Sequence, residues 1–153
     1  MTLPASFQRM RAELLRWLRG ARVMRGSRGV GQRWEDLAER HLRRSGYRIV
    51  ARNFRAGPGE VDFIATEGPV LCFVEVKGRG GPGFGLPEAA VTREKQRRIH
   101  RAAEAWLALS RSSSTPCRFD VVAILESDGV PAVRLFRGAF EAPSASRTLP
   151  RRR

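Results

Sequence analysis

Two short apolar runs, 60–65 and 70–77, stand four residues apart, and that spacing narrows the fold more than any other feature of the chain. A connection as short as 66–69 cannot carry a crossover, so strands joined by it run antiparallel. Each run also carries charge where a dry strand should have none. "EVDFIA" holds Glu60 and Asp62, and "VLCFVEVK" holds Glu75 and Lys77. Side chains alternate across a strand. Glu60, Asp62 and Ile64 therefore share one face, as do Phe73, Glu75 and Lys77. A turn centred between Glu67 and Gly68 sets Asp62 opposite Phe73, Glu60 opposite Glu75, and Asp62 diagonal to Glu75. Diagonal neighbours lie ~7–8 Å apart, within reach of one shared cation, whereas like charges directly across a ladder repel. A divalent metal would relieve the repulsion, and hard oxygen ligands in this number suit Mg2+ or Mn2+. The plainer reading of Glu75-x-Lys77 is a solvated sheet face.

Around this hairpin the hydrophobic periods mark further elements. Trp34, Leu37, Ala38, His41 and Leu42 stripe an amphipathic helix over 32–46, and Gly46 suits its stop. Residues 47–54 alternate as a first strand, with Tyr47, Ile49 and Ala51 on one face. Residues 78–85 are rich in glycine but lack the lysine and hydroxyl residue of a phosphate-binding loop, which excludes nucleotide binding there. Pro87 suits the first turn of a helix over 87–110, striped by Val91, Ile99, Ala102, Trp106 and Leu109. Strands at 118–125 and 132–136 follow, and the nearly continuous apolar run of the former marks an interior position. The order α-β-β-β-α-β-β predicts an α/β domain over 29–141: a mixed sheet of about five strands flanked by helices.

The net charge of +14 is concentrated outside that domain. Residues 1–28 carry seven arginines and one acid; 7–21 read as a basic amphipathic helix, and 25–31, which cross into the domain, as a hinge. Residues 142–153 read as a disordered, Arg-rich tail. Such charge implies a polyanionic partner, nucleic acid or an anionic membrane surface, against the plainer reading of solvated basic ends. No apolar run approaches the ~18 residues that span a bilayer. Cys72 and Cys117 have no C-x-x-C partner and are expected to be buried free thiols in a reducing compartment. His41 and His100 belong to no catalytic or zinc pattern; His41 is expected to be a satisfied core residue.

Lysine usage adds a second signal. Among 29 basic residues only Lys77 and Lys95 are lysines. Arginine is permanently charged, whereas lysine is compact and changes its pKa on burial, so it can orient or deprotonate a water. Lys95 projects from the middle of an apolar stripe, so both lysines point where burial is expected. Glu35 lies at the edge of the first helical stripe, placed to add a carboxylate over the sheet; its plainer reading is a solvated acid beside Glu39.

Asp62, a hairpin and then Glu75-x-Lys77 resemble the PD-(D/E)xK nuclease superfamily, with its restriction-endonuclease-like core. More closely, "GQRWEDLAERHLRRSGYRIVARNFR", "GEVDFIA", "FVEVKGR", "FGLPEAAVTREKQRRI" and "RFDVV", in that order across 29–125, resemble the YraN-type family of bacterial proteins. The resemblance implies that Asp62 and Glu75 are metal ligands, that Lys77 is the catalytic lysine, and that Glu35 stands near the metal. Asn53, Gly59, Glu60 and Lys95 match recurrent positions. Two residues depart from the pattern: Trp34, where a glycine commonly precedes the helix glutamate, and Gly78 after the Lys77 strand.

The function so implied is a cytoplasmic, metal-dependent endonuclease that hydrolyses phosphodiester bonds in DNA, branched or structured by analogy with the fold. The backbone carbonyl of Val76 is a further candidate ligand to Mg2+ or Mn2+ beside Asp62 and Glu75. Arg55, Arg79, Arg93, Lys95, Arg97, Arg98 and Arg101 are candidate phosphate contacts. Resolvase-like nucleases often act as dimers, which leaves a homodimer open. The alternative from another class is a non-catalytic nucleic-acid-binding or partner-binding protein on the same scaffold. A third use of residues 7–21, contact with a membrane surface, stays open beside these.

Overall fold

The computed structural model describes residues 28–79 and 91–142. The basic helix expected over 7–21, the loop beyond Arg79 with Pro87, and the tail beyond Ala142 lie outside the described residues. The described chain runs α1 (Arg28–Arg44), β1 (Arg48–Ala56), β2 (Gly59–Glu67), β3 (Val70–Arg79), α2 (Arg93–Leu109), β4 (Cys117–Ser127) and β5 (Val130–Phe140). The five strands form one sheet in sequence order. Every neighbouring pair is antiparallel except β3 and β4, which run parallel with α2 in the connection between them. This is the expected mixed sheet with flanking helices, and it matches a restriction-endonuclease-like core.

Each helix covers its own face. Ala38 and Leu42 of α1 pack with Tyr47, Phe63, Ala65, Cys72, Val74, Val122 and Ile124. Ile99, Ala102 and Ala103 of α2 pack with Ile64, Leu71, Phe73, Phe119, Val121 and Phe136 on the other side. Strand β4 is buried on both faces, as its apolar run requires. Three hydrogen bonds, Ser45 N–H to His41, Gly46 N–H to Arg43 and Tyr47 N–H to Leu42, close the end of α1. Gly46 there takes the positive φ that such a C-cap needs.

Several boundaries differ from the sequence expectation. Helix α1 starts at Arg28, inside the expected hinge. Gly29 and Gly31 each cost about 1 kcal/mol in a helix, a penalty that the packed turns downstream can absorb. Helix α2 starts at Arg93, not at 87, because the Thr92 side chain caps it by accepting the Lys95 N–H. All five strands extend beyond the spans expected for them. Tyr47 and Ile49 pack on the α1 side but Ala51 packs on the α2 side. A bulge between Ile49 and Ala51 breaks their expected common face and leaves Val50 exposed. His41 is half-buried rather than a core residue, and of the two free thiols Cys72 is buried while Cys117 is exposed.

The hairpin register is also corrected. Glu67 pairs with Val70, so the turn is Gly68–Pro69 and Phe73 faces Ile64, not Asp62. Gly68 has φ +55°, and Pro69 is locked at negative φ. That combination is a type II′ turn, whose twist suits a two-residue hairpin.

Candidate active site

Pairing between β2 and β3 runs from Glu67–Val70 to Phe63–Val74 and goes no further. The next position along that register sets Asp62 directly opposite Glu75. In place of a ladder bond, Asp62 Oδ2 accepts the Val76 N–H at 2.8 Å. The side chain thus wedges into the sheet where the two strands part. Asn53, at φ +49°, lies opposite Asp62 on the other side, between the pairs Arg52–Phe63 and Phe54–Val61. Core alternation flips across this row: Phe63 belongs to the α1 side, whereas Val61 and Phe54 belong to the α2 side.

The start of β2 therefore leans on α2. A Cβ at Gly59 would sit 2.5 Å from the Ala102 backbone nitrogen, so only glycine allows the approach. That approach delivers Glu60 to Lys95, whose Nζ lies 2.7 Å from Glu60 Oε1 and 3.3 Å from Glu75 Oε1. Lys77 Nζ reaches the same Glu75 oxygen at 3.8 Å. Glu75 is 3 % exposed, and its Oε2 has no hydrogen-bond donor.

The electrostatics follow from this crowding. Burial first, and the neighbouring Asp62 charge second, push the Glu75 carboxyl up to about 8, against the pull of Lys95 and Lys77. Lys95 stays cationic despite its burial, because the Glu60 hydrogen bond and the Glu75 charge outweigh desolvation and raise its pKa. Glu60 is lowered, chiefly by its hydrogen bond from Lys95.

Asp62, Glu75 and Lys77 thus come together as the sequence expectation has them, in a closer register. Glu35 accepts a hydrogen bond from Asn53 Nδ2 at 3.0 Å, which ties the helix glutamate to the row that contains Asp62. Among the described residues, no group of three or more His, Cys, Asp and Glu side chains is placed to hold a metal ion. The donor set that is present, two carboxylates of which one keeps a buried oxygen without a donor, is of the hard-oxygen kind that Mg2+ takes.

Of the expected phosphate contacts, Lys95 lies inside the carboxylate cluster. Exposed Arg55 faces Glu60 across β1–β2, and Arg98 reaches Glu60 Oε1 at 3.4 Å. Arg93, Arg97 and Arg101 are exposed and recur at four-residue intervals along α2. Arg79 ends β3. Trp34 and Gly78, the two departures from the family pattern, meet: a Cβ at Gly78 would fall 1.7 Å from Trp34 Cε3. The indole lies against bare backbone one residue beyond Lys77.

Sequence reasoning missed a second polar cluster. Fully buried Asp120 accepts from the Tyr47 hydroxyl (2.8 Å), Arg118 Nε (2.8 Å) and the Gly138 N–H (2.8 Å). Arg118 also binds Glu67, which in turn binds Arg137. Its only trace in the sequence is an i,i+2 Arg–Asp pair at the start of an otherwise apolar strand.

The model of the family described as "Uncharacterised protein family UPF0102" matches residues 34–124. A UPF0102 protein of Symbiobacterium thermophilum is 50% identical over 117 residues, covering 76% of this chain and 99% of that protein. One of Geobacter sulfurreducens is 48% identical over 113 residues, covering 73% and 88%. One of Chlorobaculum tepidum is 48% identical over 102 residues, covering 67% and 79%. The matched span holds α1 from Trp34 onward, the fork with Asp62, Glu75 and Lys77, and all of α2; by this agreement the chain belongs to the UPF0102 family.

Proposed function

We propose that this protein is a metal-dependent endonuclease of the bacterial cytoplasm that hydrolyses phosphodiester bonds in DNA. The observation that carries the reading is the meeting of Asp62, Glu75 and Lys77 at a fork in the sheet, with Glu75 Oε2 buried and unpartnered. Asp62, Glu75 and the Val76 carbonyl would hold Mg2+ or Mn2+. When bound, such an ion lowers the pKa of a coordinated water and neutralises charge on the phosphate. Asp62 is held for this role by the Val76 N–H. Glu75 would give up its proton as it takes the cation. Lys77 is about one-third exposed, so its ammonium can meet both Glu75 and an incoming phosphate, there to orient water or stabilise the transition state. Arg93, Arg97 and Arg101 on α2, with Arg55 and Arg98 nearer Glu60, would track the DNA backbone. Forked and four-way DNA are the substrates to try first.

Cleavage of such DNA with Mg2+ or Mn2+ tests the reading. Activity is expected from the wild type and should fall at least a hundredfold in Asp62→Ala and Lys77→Ala, roughly the size of a lost electrostatic contributor. Undiminished cutting by either variant would falsify its assigned role. A second reading has its own support: Lys77 and Lys95 already neutralise the acids without any metal. On that reading the scaffold binds nucleic acid without turnover. Salt-dependent DNA binding that is indifferent to metal, with no cleavage products, would favour it.

A further inference from the structure

We propose that Lys95 is a tethered counter-ion, filling the electrostatic place of the divalent cation in the metal-free protein, and that Glu60 retains it when the cation enters. The inference rests on the metal-site reading above and adds a competition that it does not contain.

With Glu75 ionised, the cluster balances without a metal. Glu60, Asp62 and Glu75 supply the acids; Lys95, Lys77 and Arg98 supply cations within 4 Å of Glu60 or Glu75. A doubly charged ion added to this set creates an excess, so one cation has to withdraw from Glu75. Lys77 shares a strand with Glu75, and no second acid within 4 Å of its ammonium is found among the described residues. Lys95 comes from α2, across the cleft, and touches two carboxylates. Its contact with Glu75 is the longer, at 3.3 Å, and its contact with Glu60 the shorter, at 2.7 Å. It can leave Glu75 by a small rotation and keep its stronger bond. Glu60 is fixed for this purpose by the Gly59–Ala102 approach, and Lys95 by its place in the first, Thr92-capped turn of α2. A phosphate-binding lysine, in contrast, would stand exposed to solvent, as the arginines Arg93 and Arg97 do. The Lys95 side chain is only 20 % exposed.

The test is calorimetric Mn2+ binding, without DNA, at one ionic strength and one pH for every protein. Lys95→Met should bind Mn2+ roughly tenfold more tightly than wild type, a modest part of the repulsion between an ammonium and a divalent ion at this range. Glu60→Gln should bind several-fold more weakly, because Lys95 then leans on Glu75 alone. In the Lys95→Met background the same Glu60 change should do almost nothing. Unchanged or weaker binding by Lys95→Met overturns the proposal, as does an equal Glu60→Gln loss in both backgrounds, which would mean that Glu60 acts on the ion directly. If Lys95→Met fails to fold, Lys95→Gln takes its place in both backgrounds, with the same outcomes expected. Failure of every variant and the wild type to bind Mn2+ overturns the metal site itself, and this proposal with it. Wild-type binding that ignores Lys95 overturns the proposal alone.

Discussion

Burying one carboxyl beside another, as the protein does with Glu75 and Asp62, turns a single residue into a pH-dependent weight on the fold. Glu75 is raised to about 8 by burial and by Asp62, above its ordinary value of 4.5. In the metal-free protein its contribution is therefore fully present at acid pH, below the unfolded value. It is lost as pH rises through that value and on to about 8. Glu75→Gln removes the titration. The stability difference, wild type minus variant, should fall between those limits and level off above them. Urea melts across pH on both proteins check this, and a flat difference would place the Glu75 carboxyl in a far less perturbed setting. The alternation of two short strands was enough to put Asp62, Glu75 and Lys77 on one site. It could not supply the partner of Lys95, because that contact depends on how closely β2 approaches α2, which is set at Gly59 by the absence of a side chain.

Among the elements, types and order were legible because each carries a strong hydrophobic period, while register and handedness of faces were not. The expected turn at Glu67–Gly68 overlooked that Pro69 can sit only at the negative-φ position, which moves the pairing by one residue on each strand. The bulge between Ile49 and Ala51 leaves no mark in composition, yet it reverses which residues of β1 face α1. The contact of Trp34 with Gly78 couples α1 to β3 beside Lys77. Gly78→Ala should cost roughly 1–3 kcal/mol by overpacking against the indole. Trp34→Ala opens that space, so the double variant should lose less than the two single losses added together. A double-mutant cycle by chemical denaturation measures the coupling, and simple additivity would show that the two residues act independently.

For the molecule as a whole, charge and packing are separable. Three arginines on the exposed side of α2 predict a salt-sensitive grip on DNA. Replacing Arg93, Arg97 and Arg101 with Gln in the full-length protein should reduce the slope of log affinity against log salt by about 2–3, the value for three lost phosphate contacts. An unchanged slope in anisotropy titrations would move the DNA path off this helix. Packing divides the sheet differently. Where β2 turns into β3, Asp120, Tyr47, Arg118, Glu67 and Arg137 bind β2, β4, β5 and the residue before β1 together; five residues back along β2, the wedge at Asp62 holds it apart from β3. The sheet is built like a clothes-peg, clamped at one end and sprung at the other. Its jaw carries its own gauge, since the Val76 amide hydrogen is sheltered by a carboxylate rather than by a neighbouring strand. Deuterium uptake at that single amide should quicken in Asp62→Ala while the clamped end stays slow, and Tyr47→Phe should reverse the pattern.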